Sequence, residues 1–392
     1  MDCPASAGRP RFDMADIVRQ HRAELEARAT LSPEQARVLS AIALCRTEAL
    51  GGHVDVCRSC GYKQPAYNSC RNRHCPKCQA LAQERWIAAR SARLLPVQHF
   101  HVVFTLPGRL RSLARFRPRE VFDALFQAAS ETLLELGDTR LAARLAITMV
   151  LHTWARDLRW HPHVHAIVSA GGLARDLQHW IPTRPRYLFP VRVMGALFRG
   201  KMIARLRDLH DQGVFAGFDE FDDPEGFERL VARVARTRWV VYAKQPFRQA
   251  LHVLRYLGRY THRVAISNSR FTAVSSEAVT FRTRNGNTVT VTPFEFLRRF
   301  VTHVLPDRFH KIRHYGLYAG ASTEHALAVA CLRPAAPQSP APTHDVSKEI
   351  SWITLLFHLT LRDVDRCPNC GDIVEHIHVP ATARAPPHRA VR

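Results

Sequence analysis

The chain has 392 residues, 46% of them hydrophobic, and its 56 Lys and Arg exceed 34 Asp and Glu, giving a formal net charge of +22 at pH 7. This length exceeds what one hydrophobic core usually supports, so two or three domains are expected. The charge favours a polyanionic partner such as DNA or RNA, although a merely soluble basic protein also fits it. There is no apolar run of about 18 residues and no signal-peptide core, so the sequence predicts a cytoplasmic protein without a membrane partner.

The first part of the chain is predicted to be helical and then rich in cysteine. Two helices are expected over residues 12–50, and the second begins at Ser32-Pro33, because serine caps a helix and proline fits its first turn. A cysteine-rich segment follows, and a third helix is predicted over 81–95, before Pro96. We therefore place a helical and zinc-binding DNA-recognition domain, with a zinc-ribbon-like part, at residues 1–95.

The middle of the chain alternates strands and helices, which indicates the α+β fold class for a catalytic domain at residues 96–330. Its predicted elements are a strand at 100–105, a helix at 119–136 and strands at 146–152 and 163–169. The last two form an antiparallel hairpin, and Asn285-Gly286 predicts a second one. Two segments follow: a stiff Pro-rich linker at 331–345 and a small C-terminal module with a Cys-x-x-Cys pair and a basic tail at 346–392.

Two Cys-x-x-Cys pairs stand close together in the cysteine-rich segment. Cys57 and Cys60 form the first pair, and Cys75 and Cys78 form the second. Each pair places two thiolates on one tight turn, and two pairs supply the tetrahedral set that Zn²⁺ prefers. The sequence therefore predicts a structural zinc ion held by these four cysteines.

Further ligands and basic side chains surround these pairs. A second closed zinc site, or simple packing beside one zinc, would account for four more residues: Cys45, His53, Cys70 and His74. Basic side chains in the segment would suit phosphate contacts, or would only form a solvated face, and the DNA-binding candidates are Arg71, Arg73 and Lys77. A third pair, Cys367 and Cys370, fits a small zinc knuckle or a degenerate remnant equally well.

A pair of histidines is the first candidate for a catalytic site. His163 and His165 are two residues apart on a predicted strand, so their imidazoles point to the same face and can reach one divalent ion. His152 on the opposing strand of the hairpin could complete a three-ligand site. Such pairs also occur without a metal at surfaces and in cores. The metal interpretation predicts Mg²⁺ or Mn²⁺ as the catalytic ion.

A pair of tyrosines is the second candidate. Tyr256 and Tyr260 are four residues apart in a stretch with helical spacing of apolar residues, so both phenols lie on one helix face. Paired tyrosines of this kind are ordinarily core or capping residues. A tyrosine oxygen is a poor nucleophile at its normal pKa of about 10, and a metal-polarised phosphate would let it attack. Basic residues near the pair are further DNA-binding candidates: Lys244, Arg255, Arg259 and Arg263.

At these residues the sequence resembles the IS91 family of insertion-sequence transposases, which are two-tyrosine HUH endonucleases. The resembling segments include Tyr67 to Gln79, His161 to His165, Tyr256 to Ser267 and Arg313 to Gly316. The resemblance implies an HUH-type central antiparallel sheet flanked by helices, and rolling-circle-like transposition through 5′-phosphotyrosine intermediates. It implies that Tyr256 and Tyr260 are catalytic and that His163 and His165 bind the metal. His152 is inferred from its position alone.

The implied partners are single-stranded DNA at insertion-element ends and target DNA, with host replication or helicase machinery to separate the strands. A homo-oligomer is left open. Two other functions also remain open. A plasmid replication initiator or conjugative relaxase shares the HUH and tyrosine chemistry, whereas a non-catalytic zinc-ribbon regulator would bind DNA without forming a covalent adduct.

Overall fold

The computed structural model describes residues 11–221, 223, 225–247, 258, 266–283, 285–320, 323–332 and 363–383. The helices in these ranges are α1 (Met14–Arg28), α2 (Pro33–Leu44), α3 (Ala80–Ser91), α4 (Arg111–Phe116), α5 (Pro118–Leu141), α6 (Val191–Asp211), α7 (Gly226–Arg236), α8 (Pro293–Val301) and α9 (Thr323–Leu332). The strands are β1 (Gly52–Val56), β2 (Lys63–Tyr67), β3 (His99–Thr105), β4 (Ala143–Trp154), β5 (Trp160–Ala174), β6 (Trp180–Pro182), β7 (Val241–Phe247), β8 (Phe271–Val274), β9 (Val279–Arg282), β10 (Thr288–Val291), β11 (Ile312–Gly316) and β12 (Glu375–Val379). Among the described helices, none combines the length and the apolar character that crossing a membrane requires.

A large antiparallel sheet forms the centre of the fold. Its strand order is β11-β4-β5-β3-β7, and the short β6 pairs with the end of β5. The predicted hairpin is confirmed as β4 and β5, which pair directly along most of their length. The predicted α+β class, with an antiparallel sheet flanked by helices, is also confirmed.

One face of this central sheet carries the main hydrophobic core. Phe104 on β3, Leu151 on β4 and Val164 on β5 are all buried there with apolar side chains of α5 and α6. Phe104 and Phe198 of α6 meet edge to face, with ring centroids 5.0 Å apart. Burying each such side chain contributes about 1.5–3 kcal/mol, so this face fixes the sheet firmly against the helices.

Residues that alternate with the core positions lie on the opposite face of the sheet. The register pairs His165 with Val150 on β4 and with Val103 on β3, and residues paired across an antiparallel ladder share a face. Trp86 of α3 packs against Val150 on this side. We call this surface, defined by His165 and its paired residues, the histidine face.

The two N-terminal helices are confirmed, and so is Ser32 as the cap of α2, where it forms a capping box with Gln35. Ser32 Oγ accepts the Gln35 N–H at 3.2 Å, and Gln35 Oε1 accepts the Ser32 N–H at 2.9 Å. Both helices pack into a second hydrophobic cluster with Phe281 of β9 and Phe296 of α8. The first helices are thus buried against residues expected to belong to the catalytic domain. The predicted boundary at residue 95 does not mark a break in this packing.

A small sheet unites the two ends of the chain. Its order is β12-β1-β2, and β12 runs antiparallel to β1, so that Gly52 pairs with Val379 and Val56 with Glu375. Residues 375–379, expected in a C-terminal module, therefore join the N-terminal cysteine-rich segment.

The second predicted hairpin, β9 and β10, is confirmed. The Pro-rich linker lies outside the described residues, apart from its first two residues in α9.

Candidate functional site

Three histidines converge on the histidine face. His152, His163 and His165 each offer a nitrogen, and these nitrogens lie within 4.8 Å of one another. His152 is directly opposite His163 in the β4–β5 register, and His165 follows two residues along β5. The ring centroids are 5.4 Å apart for His152 and His163 and 4.8 Å apart for His163 and His165. The predicted grouping of these three residues is thus present in the structure.

Neighbouring groups orient two of these imidazoles. His163 Nδ1 lies 2.6 Å from the carbonyl oxygen of His161, to which it donates. His165 Nδ1 lies 2.7 Å from Nε2 of His101, and the two rings are stacked with centroids 4.9 Å apart. Ligand histidines typically engage their second nitrogen in this way, which turns Nε2 toward the metal. The sequence analysis missed His101, because only the order of the strands places β3 beside β5.

Two imidazoles of this region, those of His163 and His101, are neutral at ordinary pH. Burial lowers the pKa of His163 to about 4. The pKa of His101 is also lowered to about 4, first by burial and then by the charge of Lys244. Neutral imidazole is the form that binds metals, so His163 is in the protonation state that a metal ligand requires. An all-nitrogen donor set suits a transition-metal ion better than Mg²⁺, which prefers oxygen ligands.

The two predicted nucleophiles, Tyr256 and Tyr260, lie outside the described residues. Gly258, midway between them, is described, and it is helical and buried. It approaches α3 so closely that an added Cβ would lie 2.6 Å from Cδ1 of Ile87. The preceding residue of α3, Trp86, packs on the histidine face. The helix α3 therefore contacts both Gly258 and the sheet that carries the histidines.

The ten cysteines of the chain include two clusters of four, and their composition differs from the prediction. Cys45 and Cys70 join Cys75 and Cys78 in one cluster, while Cys57 and Cys60 join Cys367 and Cys370 in the other. The prediction that Cys57, Cys60, Cys75 and Cys78 share one site was wrong. Closest sulfur pairs are 3.6 Å apart in the first cluster and 3.5 Å apart in the second. Four sulfurs around zinc, with bonds of about 2.3 Å, are separated by about 3.8 Å, so both clusters match that geometry.

The second cluster is built from two matching turns. The Gly61 N–H donates to the Cys57 carbonyl at 3.0 Å, and the Gly371 N–H donates to the Cys367 carbonyl at 2.9 Å. Both glycines have positive φ, 72° and 79°, which other residues adopt only with strain. The sequence carried this signal, since each pair is followed by glycine, whereas Cys78 is followed by Gln79.

Neither histidine of the predicted second zinc site belongs to a cysteine cluster. His74 Nε2 lies 3.4 Å from the Leu305 backbone nitrogen, and its Nδ1 lies 3.1 Å from Asn72 Oδ1. His53 lies on β1, where its Nε2 is 3.2 Å from Asp55 Oδ1. The expected set of Cys45, His53, Cys70 and His74 is therefore corrected to four cysteines. The reason is that both imidazoles are directed at other groups.

Two of the basic DNA-binding candidates have structural roles. Arg73 donates to the carbonyl oxygens of Phe309 at 2.7 Å and Pro306 at 3.2 Å, and it is largely buried. These contacts hold the loop before β11. Lys77 forms an ion pair with Asp13 and is only partly exposed. Both side chains are thus engaged within the protein, and their contact with DNA stays a prediction.

Two other basic candidates are accessible. Arg71 is exposed at a left-handed turn with φ of 52°. Lys244 is exposed on β7 and pairs in register with His101, so it lies on the histidine face. The remaining candidates lie outside the described residues: Arg255, Arg259 and Arg263.

Comparison with known proteins defines the class. Residues 17–106 match the family model described as "Transposase zinc-binding domain", and residues 146–326 match the model described as "Putative transposase". The chain is 42% identical over 370 residues to "Putative transposase y4qJ" of Sinorhizobium fredii (strain NBRC 101917 / NGR234), covering 91% of this chain and 92% of that protein. It is 30% identical over 289 residues to "Transposase for insertion sequence element IS801" of Pseudomonas savastanoi pv. phaseolicola, covering 70% of this chain and 68% of that protein. No solved structure matches the chain.

The chain is thus a transposase with an N-terminal zinc-binding domain. It belongs to the IS91 family, as the sequence motifs indicated. The second matched region contains most of β4 and all of β5, and so includes all three residues of the histidine cluster.

Proposed function

We propose that this transposase nicks and rejoins single-stranded DNA at the ends of an insertion element, through 5′-phosphotyrosine intermediates, in rolling-circle-like transposition. The observation that carries the proposal is the convergence of His152, His163 and His165 on one face of the central sheet. Family membership favours transposition over the replication-initiator and relaxase alternatives, because both relatives are named as transposases.

The reaction needs a nucleophile, a positioned phosphate and a stabilised charge. A divalent ion held by the three imidazoles would bind the scissile phosphate and offset the charge that develops on it. The oxygen of Tyr256 or Tyr260 attacks phosphorus, the bond to the 3′ oxygen breaks, and the net proton lost by the phenol is gained by the released 3′ hydroxyl. The new ester retains the energy of the cut, so a 3′ hydroxyl can reverse the step without ATP. His101 and the His161 carbonyl hold His165 and His163 in place throughout.

The DNA strand would run across the histidine face toward β7. Lys244 on that strand can contact a phosphate, and the nearby Tyr242 is 55% exposed on the same face. An exposed aromatic ring stacks on bases with little sequence preference, which suits a single strand.

The proposal is tested by trapping the covalent intermediate. Full-length protein incubated with a single-stranded oligonucleotide of the element end and Mn²⁺ should give a protein–DNA adduct that resists boiling in detergent. Mn²⁺ should support more adduct than Mg²⁺, because the site has nitrogen ligands. Peptide mass spectrometry should locate the DNA on Tyr256 or Tyr260.

Chelation provides the control. Brief EDTA treatment should abolish the adduct, and added Mn²⁺ should restore it while the zinc content stays constant. That recovery separates loss of the catalytic ion from unfolding of the zinc-binding domain. An adduct that forms equally well in EDTA would show that the mechanism does not require the ion. A protein that binds the oligonucleotide but never forms an adduct would support the non-catalytic regulator.

We also propose that each cysteine cluster holds one structural zinc ion. The donor sets are four thiolates each, which is the closed arrangement of structural sites. The cluster of Cys57, Cys60, Cys367 and Cys370 joins β1 and β12, because two ligands lie next to each strand. Its ion would hold the C-terminal segment on the N-terminal domain.

This assignment predicts the zinc content of single variants. Purified without chelator, the wild-type protein should contain about two zinc ions per chain, and Cys367→Ser should lose about one of them. Cys331→Ser is the matched control, since Cys331 belongs to neither cluster, and it should retain both. Elemental analysis measures the result. Full zinc content in Cys367→Ser would show that Cys57 and Cys60 bind zinc together with other ligands.

A further inference from the structure

A third cluster of metal-binding side chains lies on the small sheet, outside both cysteine clusters. It consists of His53 and Asp55 on β1 and His376 on β12, whose ligand atoms lie within 4.8 Å of one another. His53 and Asp55 are two residues apart on one strand, so they share a face. His376 stands directly opposite Asp55 in the antiparallel register and shares that face too.

The distances in this cluster suit a small cation. His376 Nδ1 lies 2.7 Å from Asp55 Oδ1, and His53 Nε2 lies 3.2 Å from the same oxygen. The ligands of a tetrahedral ion with bonds of about 2.0–2.1 Å are separated by about 3.3 Å. Both contacts with Asp55 therefore need only a slight increase in length to seat the ion. The strands hold the three side chains close to these distances, because both imidazoles and the carboxylate extend from paired backbone.

A second carboxylate supports His376 as a ligand. His376 Nε2 lies 3.5 Å from Asp365 Oδ1, on the side of the ring away from Asp55. Metal-binding histidines commonly donate their second N–H to a carboxylate, which fixes the ring and increases its basicity. The basic side chain of Arg58, which follows Cys57, is paired with Glu375. The local field therefore favours a cation over an anion.

We propose that His53, Asp55 and His376 bind a divalent transition-metal ion, with Zn²⁺ as the first choice. Two imidazoles and one carboxylate form a donor set that Zn²⁺ accepts readily. The side chains are 44%, 24% and 41% exposed, so water completes the coordination. The ion cross-links β1 to β12 and reinforces the attachment of the C-terminal segment. With three partly or fully exposed ligands it binds more weakly than an ion enclosed by four thiolates.

The test uses the full-length protein with its cysteine clusters already metal-loaded, and it does not depend on DNA cleavage. Zn²⁺ is titrated by calorimetry, and Co²⁺ by absorption spectroscopy. Besides the ion expected at His152, His163 and His165 on the central sheet, the wild type should take up one additional ion per chain. Its cobalt spectrum should show weak ligand-field bands without added thiolate charge-transfer bands, because nitrogen and oxygen bind the ion. His53→Ala and His376→Ala should each weaken this binding by about tenfold or more.

A histidine on the same face provides the matched control. His378 is exposed and stands directly opposite His53 in the register, but it does not belong to the cluster. His378→Ala should bind the additional ion like the wild type. Unchanged cysteine-bound zinc in every variant would show that the sheet is intact. The proposal is overturned if the wild type binds no additional ion, or if His53→Ala binds it with unchanged affinity.

Discussion

His163→Ala should lose covalent adduct formation on a single-stranded element end while it still binds the oligonucleotide. The side chain supplies one of three nitrogens at the cluster, and its Nδ1 is held by the His161 carbonyl. Metal stabilisation of a phosphoryl transition state is worth several kcal/mol, and each 1.4 kcal/mol or so is a factor of ten in rate. We therefore expect the initial rate of adduct formation, measured by gel densitometry, to fall by at least about 100-fold.

Two further variants separate the metal site from general damage. His161→Ala removes an imidazole from the same strand but retains the backbone carbonyl that orients His163, so it should remain active. His101→Ala removes only the partner of His165 and should lower the rate by about 10–100-fold, with recovery at high Mn²⁺. Equal rates for His163→Ala and the wild type would exclude the cluster from catalysis.

The elements that the sequence predicted correctly depend on local patterns. The start of α2 follows from Ser32, Pro33 and Gln35, which act within one turn. The β4–β5 hairpin follows from two adjacent strand-like stretches, and it places His152 opposite His163 without any knowledge of the rest of the sheet. Sites formed within one hairpin are therefore accessible to sequence reasoning.

The grouping of the cysteines could not be predicted from local sequence in the same way. A Cys-x-x-Cys spacing shows that two thiols share a turn, but it does not identify the second pair of ligands. Cys57 and Cys370 are 313 residues apart and meet only because β12 pairs with β1. Proximity in the sequence favoured Cys75 and Cys78 as the partners of Cys57 and Cys60. The long-range pairing of β12 with β1 instead brings Cys367 and Cys370 to them.

The same limit explains two other features that the sequence did not show. His101 orients His165 because β3 lies beside β5 in the sheet, and strand order cannot be derived from the two strands alone. Arg73 was expected to contact DNA because it is basic and lies in a cysteine-rich segment. Its burial against the carbonyls of Pro306 and Phe309 depends on a loop more than 230 residues away.

Tyr256→Phe and Tyr260→Phe should separate nicking from complete transposition. Under the proposed mechanism one tyrosine makes the first cut and the other accepts a second strand, so that the enzyme holds two DNA ends together. Each single variant should fail in a cellular transposition assay, while at least one still forms an adduct on an oligonucleotide. The double variant should form none, because phenylalanine retains the ring but lacks the attacking oxygen.

A tyrosine that only packs or stacks would behave differently. Phenylalanine preserves both packing and base stacking, so a variant at such a position should transpose at the normal rate. Tyr242→Phe is the matched control, since this exposed tyrosine on the histidine face is assigned to stacking and its phenol is not required. Normal transposition by either Tyr256→Phe or Tyr260→Phe would reduce the mechanism to one nucleophile. The second end would then have to be cut by the same tyrosine after its release, or by a second copy of the chain.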